Sequence, residues 1–162
     1  MGFLETSILK LRVWPTDIDL LLHMNNGVYL SLMDLGRTDL TLRSGFYRIL
    51  RKNGIYPVIA SEVIRFKKSL KPFQSFEIHT DLIYWDEKYF YLQQRFFSRK
   101  ELYASGIVKA RFLRNEGGGV DPLEIFRLLG LSQTELDQSL SRLAQEGKDA
   151  IVSYRGIENY LR

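Results

Sequence analysis

Apolar and basic positions alternate within residues 8–14, with Leu9, Leu11 and Val13 on one face and Lys10 and Arg12 on the other. A period of two predicts a half-buried strand, and Pro15 stops it. From Asn26 to Arg43 the period lengthens. Tyr29, Leu32, Met33, Gly36 and Leu40 recur at spacings of three and four, which predicts an amphipathic helix with Asn25 or Asn26 as its N-cap. A glycine inside a helix costs about 1 kcal/mol relative to alanine, so Gly36 implies close approach by another backbone. A second short helix over 45–52 stops at Asn53-Gly54.

Beyond it the pattern returns to strands, at 56–69, 74–85, 88–98 and 101–114. Polar turns fall at Trp85-Asp86-Glu87-Lys88 and Ser98-Arg99-Lys100, and Gly117-Gly118-Gly119 ends the sheet. The tail predicts a helix opening at Asp121-Pro122 and running to Leu129-Gly130. Ser132-Gln133-Thr134-Glu135 has capping-box spacing and opens another helix, to about Gln145, with Leu136, Leu140 and Leu143 on its apolar face. A long helix and an antiparallel sheet each have one apolar face to cover. The economical solution is an α+β fold in which a curled sheet of about five strands wraps the helix. Residues 1–118 form the domain, and 119–162 form a C-terminal helical extension packed on it.

Composition narrows the function classes. The 162 residues are 45% hydrophobic and 26% charged, enough for one packed core and too few charges for a disordered chain. The absence of cysteine excludes disulfides, thiolate metal sites and a cysteine nucleophile. His23 and His79 lack zinc-ligand spacing, so no metal is expected. The net charge of +4 suits anionic partners such as coenzyme A or an acidic carrier protein. No Lys/Arg block interleaves with aromatics as nucleic-acid binding would require. No apolar run is long enough to span a bilayer. No secretory signal pattern is evident, so the expected setting is cytoplasmic.

Candidate chemistry concentrates between Trp14 and Tyr29. Asp17 and Asp19 lie among apolar residues just ahead of the predicted helix start at Asn25-Asn26. A carboxylate partly removed from water becomes a usable general base. The free N–H groups of a helix N-terminus can hold a carbonyl oxygen as negative charge develops on it. The same residues also read as turn-formers and caps, and His23 as a structurally bonded histidine. The segment by itself leaves both readings open.

Asp-x-Asp, three residues, then His-Met-Asn-Asn-x-x-Tyr-Leu resembles the helix-start motif of hotdog-fold thioesterases. The similarity is to the 4-hydroxybenzoyl-CoA thioesterase-like group, and closer to its branch with His-x-Asn-Asn. Ser61 to Lys68 and Trp85 to Tyr91 resemble the same branch's sheet, so the likeness covers about residues 8–114. It implies a hotdog fold and an acyl-CoA thioesterase-like hydrolase. Asp19 would be base or nucleophile, and the Asn26 N–H would polarise the thioester carbonyl. His23 would belong to the catalytic set, and Asn25 and Tyr29 would shape the substrate site. Plant acyl-carrier-protein thioesterases have a similar helix start with Asp, Asn and His at alternate positions. Here Asp19 and His23 match, but Leu21 replaces the Asn.

Arg65 and Lys67, alternating on one strand face, are candidates for the phosphates of coenzyme A. No bound cofactor is implied, coenzyme A being part of the substrate. The resemblance also implies a homodimer or a dimer of dimers, with sites at the subunit interface. The alternative function is a non-catalytic acyl-CoA or acyl-carrier-protein binding module on the same fold, which the missing Asn at Leu21 favours.

Overall fold

Alternation along the strands sorts side chains onto two faces of one antiparallel sheet. The computed structural model describes residues 2–132, 134–139, 147, 149–152 and 154. The strands are β1 (Ser7–Arg12), β2 (Ile55–Phe66), β3 (Ser75–Trp85), β4 (Phe90–Ser98), β5 (Glu101–Arg114) and the short β6 (Gly119–Val120). The helices are α1 (Asn26–Arg43), α2 (Phe46–Lys52) and α3 (Pro122–Leu128). The sheet order is β1-β3-β4-β5-β2, with β6 on β5.

The inner face packs on α1. Phe76, Ile78 and Leu82 of β3, Phe90, Leu92 and Phe96 of β4, and Ala104, Val108, Ala110 and Phe112 of β5 join Tyr29, Met33 and Leu40 of α1 in one core. Large residues stand opposite small ones in the register, Phe90 beside Ala110 and Phe96 beside Ala104, so the curved face fills without overpacking. A register shift between Leu82 and Tyr84 resets the alternation. Leu82 and Trp85 therefore join the inner core, while Ile83 turns to the outer face. There Ile83, Tyr91 and Ile107 are covered by Ile151 and Tyr154.

Gly36 marks a close approach, made by side chains of the sheet rather than by a second backbone. A Cβ there would lie 2.8 Å from Gln94 Nε2 and 3.0 Å from Thr80 Oγ1. Both polar residues are fully buried under α1. Gln94 Nε2 donates to the Met33 carbonyl at 2.8 Å and to Thr80 Oγ1 at 3.0 Å, and its Oε1 accepts from Arg37 at 2.9 Å.

α1 spans the expected residues, and several strand ends differ from expectation. β2 stops at Phe66 because Lys67 and Lys68 both donate their N–H to the Tyr103 carbonyl, which ends the ladder. β4 starts at Phe90 because Asp86 Oδ1 accepts from the N–H groups of Lys88 and Tyr89 and holds them in the turn. The triple glycine does not end the sheet, since Gly119 and Val120 pair back with Leu113 and Phe112. In the tail, Asp121 caps α3 through the Leu123 N–H, and Ser132 and Glu135 form the reciprocal capping box. Leu136 is buried in the main core, while Leu140 and Leu143 lie outside the described residues.

Candidate active site

The connection from β1 to α1 folds into a narrow ribbon. Pro15–Asp17 make one turn of 3-10 helix, closed by the Trp14 N–H donating to Asp17 Oδ2 at 2.8 Å. Asp17 is thus a local structural acceptor, and its carbonyl takes the Asn25 N–H at 2.8 Å. Ile18 bridges Met24, and the Asp19 N–H donates to the His23 carbonyl at 2.9 Å. These bonds set Asp17 opposite Asn25 at the start of α1, and Asp19 opposite His23 one step nearer the ribbon's tip.

The Asp19 carboxylate is held on one side only. Its Oδ1 accepts from the Leu21 N–H at 2.8 Å and the His23 N–H at 3.3 Å. Its Oδ2 makes no hydrogen bond among the described residues, leaving lone pairs for a water or substrate. Asn25 is the N-cap, its Oδ1 accepting from the Gly27 N–H at 2.8 Å. The Asn26 N–H, first of the helix, donates to no group among the described residues. It is an unfilled donor at the positive end of an 18-residue helix. His23 meets Asp19 through its backbone, and its ring makes no hydrogen bond among the described residues.

Three expected substrate contacts lie elsewhere in the single chain. Tyr29 is 1% exposed, packs on Phe66 and Phe96, and accepts the Leu70 N–H on its hydroxyl. It is a core residue rather than a substrate contact, and burial raises its pKa. Phe66 faces inward onto Tyr29, so Arg65 faces outward, where it stacks on the Tyr154 ring at 4.7 Å. Lys67 lies beyond the end of β2 and does not share its alternation with Arg65. The outward face also holds His79, whose Nε2 lies 3.0 Å from Glu77 Oε2.

A cavity of about 330 Å³ opens between the C-terminal half of α1, α2 and the sheet. Its floor is apolar, with Phe46, Leu50, Phe90, Leu92 and Phe112, and Asp34 and Arg37 stand among its polar residues. Arg37 pairs with Glu62 at 2.6 Å and with Asp34 at 3.0 Å. Glu62 faces inward, a direction sequence alone left open. Sequence reasoning missed Arg37 and Gln94. The available signal was the polar pair Thr80 and Gln94 at inward positions of otherwise apolar strands, opposite a helix glycine.

Comparison with known proteins places the chain in a family. Residues 13–141 match the family model of the thioesterase-like superfamily. The chain belongs to the thioesterase-like superfamily. Protein THEM6 of Xenopus laevis is 39% identical over 99 residues, 61% of this chain and 48% of that protein. A probable thioesterase of Saccharomyces cerevisiae, YBR096W, is 28% identical over 105 residues, 64% of this chain and 45% of that one. The chain therefore spans about half the length of the curated superfamily relatives it matches. The structure of a gentisyl-coenzyme A thioesterase superposes with a TM-score of 0.67 at 21% identity, covering 75% of this chain and 99% of that one. The shared architecture is the hotdog fold.

Proposed function

We propose that the chain is an acyl-CoA thioesterase-like hydrolase, and the free Oδ2 of Asp19, on the loop that leads to the unfilled Asn26 N–H, is the observation that carries this reading. The thioester carbonyl accepts a hydrogen bond from Asn26, which stabilises negative charge on oxygen as the adduct forms. Asp19 Oδ2 takes a proton from a water while its oxygen attacks the carbonyl carbon. The adduct then breaks its C–S bond, and the proton from Asp19 leaves with the thiol. Asn25 fixes the helix start, and His23 closes the loop that aims Asp19. Every group in this scheme belongs to the chain, the substrate or water, so it needs no metal or bound cofactor.

The acyl group requires an apolar pocket, and the Asp19 loop contributes no residue to the 330 Å³ cavity of its own chain. A second copy resolves this. β2 is a 12-residue edge strand with an unpaired side. Antiparallel pairing of two β2 edges about a two-fold axis sets the start of α1 in one copy beside the C-terminal half of α1 in the other. The thioester then lies at Asn26 of one copy with its acyl chain in the cavity of its mate. A homodimer or a dimer of dimers is the assembly this reading requires. Arg65 and Lys67 serve at most as outlying contacts for the phosphates of coenzyme A.

A panel of acyl-CoA thioesters assayed with a thiol reagent tests the proposal. Thiol release supports the hydrolase. Tight binding without release points instead to the non-catalytic acyl-CoA or acyl-carrier-protein binding module, a reading that Leu21 in place of the Asn would favour.

A further inference from the structure

Among the described residues, four other than glycine adopt a positive φ: Leu22 at 60°, Phe73 at 61°, Arg99 at 49° and Lys100 at 67°. Glycine or asparagine would fit these positions at less cost. The chain instead places two large apolar side chains and two cations there. All four sit at one end of the sheet. The Phe73 N–H donates to the Val13 carbonyl, the Met24 N–H donates to the Leu70 carbonyl, and Gln74 Nε2 donates to Ser98 Oγ, which ties the three loops together.

This end is unusually apolar for a surface. Trp14 is 60% exposed, Leu20 101%, Leu21 74%, Leu22 70% and Phe73 61%. Scattered exposed apolar residues need no explanation, but a cluster on adjoining loops marks a contact surface. Arg12, Lys71, Arg99 and Lys100 lie around it, exposed and without an ion pair among the described residues, and outnumber Asp17 and Asp19 on the loop from Trp14 to Leu22. The turns at the opposite end carry Asp86, Glu87 and Glu116 beside Lys88, and so have no such excess of cations.

We propose that this end docks on an anionic lipid bilayer. Trp14, Leu20, Leu21, Leu22 and Phe73 enter the interfacial layer, and the four cations meet lipid phosphates. The charge pattern selects this occupant. The apolar side chains stand on separate loops inside a basic rim, which suits a planar anionic surface. A second copy joined along the β2 edge would lie beside that strand, leaving Trp14 and Phe73, at the β1 side, uncovered. The contact is peripheral, since no helix among the described residues is long and apolar enough to cross a membrane. The inference does not depend on the hydrolase reading.

Co-sedimentation of the full chain with vesicles tests it. Vesicles containing phosphatidylserine should bind at least about tenfold more tightly than pure phosphatidylcholine vesicles, and high salt should weaken the difference. Trp14 fluorescence should shift to the blue on binding, while Trp85 is already buried. Two paired variants separate docking from folding. Leu22→Gly with Phe73→Gly, and Arg99→Asn with Lys100→Gly, each install residues suited to positive φ, the second being a favoured two-residue hairpin turn. Each pair should hold or raise the thermal midpoint while lowering vesicle affinity about tenfold or more. Wild-type protein that stays in the supernatant with both vesicle types would overturn the proposal. So would variants that bind like wild type, or a drop in oligomer size by light scattering, which would make the surface an interface between copies.

Discussion

Gly36 lies against Gln94 so closely that a Cβ on the helix would sit 2.8 Å from the amide nitrogen. That amide is fully buried and donates to Met33 of the same helix. The glycine therefore keeps a polar tie between α1 and the centre of the sheet. Gly36→Ala gains about 1 kcal/mol of helix propensity. It also displaces a buried amide from its partners, a loss of about 1–3 kcal/mol per unsatisfied group. With Nε2 losing two acceptors, the expected net result is a lower thermal midpoint, read by calorimetry. A raised midpoint would show that Gln94 moves aside freely.

Asp19 offers a clean separation of chemistry from loop structure. Asn at this position keeps an oxygen to accept from the Leu21 and His23 backbone N–H groups, but cannot act as base. Asp19→Asn should cut thioester turnover by at least about tenfold, within the usual range for general-base loss, with a thermal midpoint near wild type. Asp19→Ala should lose the turnover and also some stability. Full turnover in the Asn variant would remove Asp19 from the mechanism.

Arg37 and Glu62 form an ion pair whose side chains are only 12% and 20% exposed. Removing Arg37 strands Glu62 in a poorly solvated place, whereas removing Glu62 leaves Arg37 its bonds to Asp34 and Gln94. Arg37→Met should destabilise by about 2–4 kcal/mol and Glu62→Gln by less, and the double variant by less than the sum. A double-mutant cycle in urea measures the coupling, and simple additivity would show that the pair is not coupled.

Asp86 supplies a pH signature. Burial acts to raise its pKa, but bonds from the Lys88 and Tyr89 N–H groups and the Tyr91 hydroxyl outweigh it and leave the carboxyl below its ordinary value. A folded-state value below the unfolded one contributes stability above the unfolded pKa, and that contribution is lost as pH falls through the folded value. Asp86→Asn should therefore cost about 1 kcal/mol at neutral pH. The gap to wild type should narrow as pH drops below about 4. Denaturation midpoints across that range would show whether it does.

Filling the apolar cavity should reset substrate length. Ile59 lines it and is 39% exposed, so a larger side chain there can be accommodated by the fold. Ile59→Trp should raise KM for long acyl chains about tenfold or more while short chains change little, a loss equivalent to a few buried methylenes. Equal effects on all chain lengths would place the acyl group elsewhere.

Local pattern was enough for much of this protein. The period of three and four between Tyr29 and Leu40 marked α1, and strand alternation marked β1 and β3 to β5, because one-sided burial writes its period into the residues. The Asp-x-Asp and His-x-Asn-Asn spacing pointed to the loop ahead of α1 because a helix start needs its cap and its free N–H groups in fixed sequence positions. Direction and distance across the fold were a different matter. Tyr29 belongs to the stretch whose sequence suggested a site yet lies in the core, because Phe66 and Phe96 close over it from distant strands. Arg65 faces away from α1 because the inward side of β2 is taken by Phe66 and Glu62. The Arg37–Glu62–Gln94 network joins residues far apart in the chain, and their convergence depends on sheet order and helix placement. The sequence by itself determined the elements, the apolar faces and the loop that carries Asp19, since those depend on near neighbours. Only the tertiary structure decided which polar groups meet under α1, where the acyl-sized cavity lies and which loops gather at one end, since those depend on packing between segments that sequence order leaves apart.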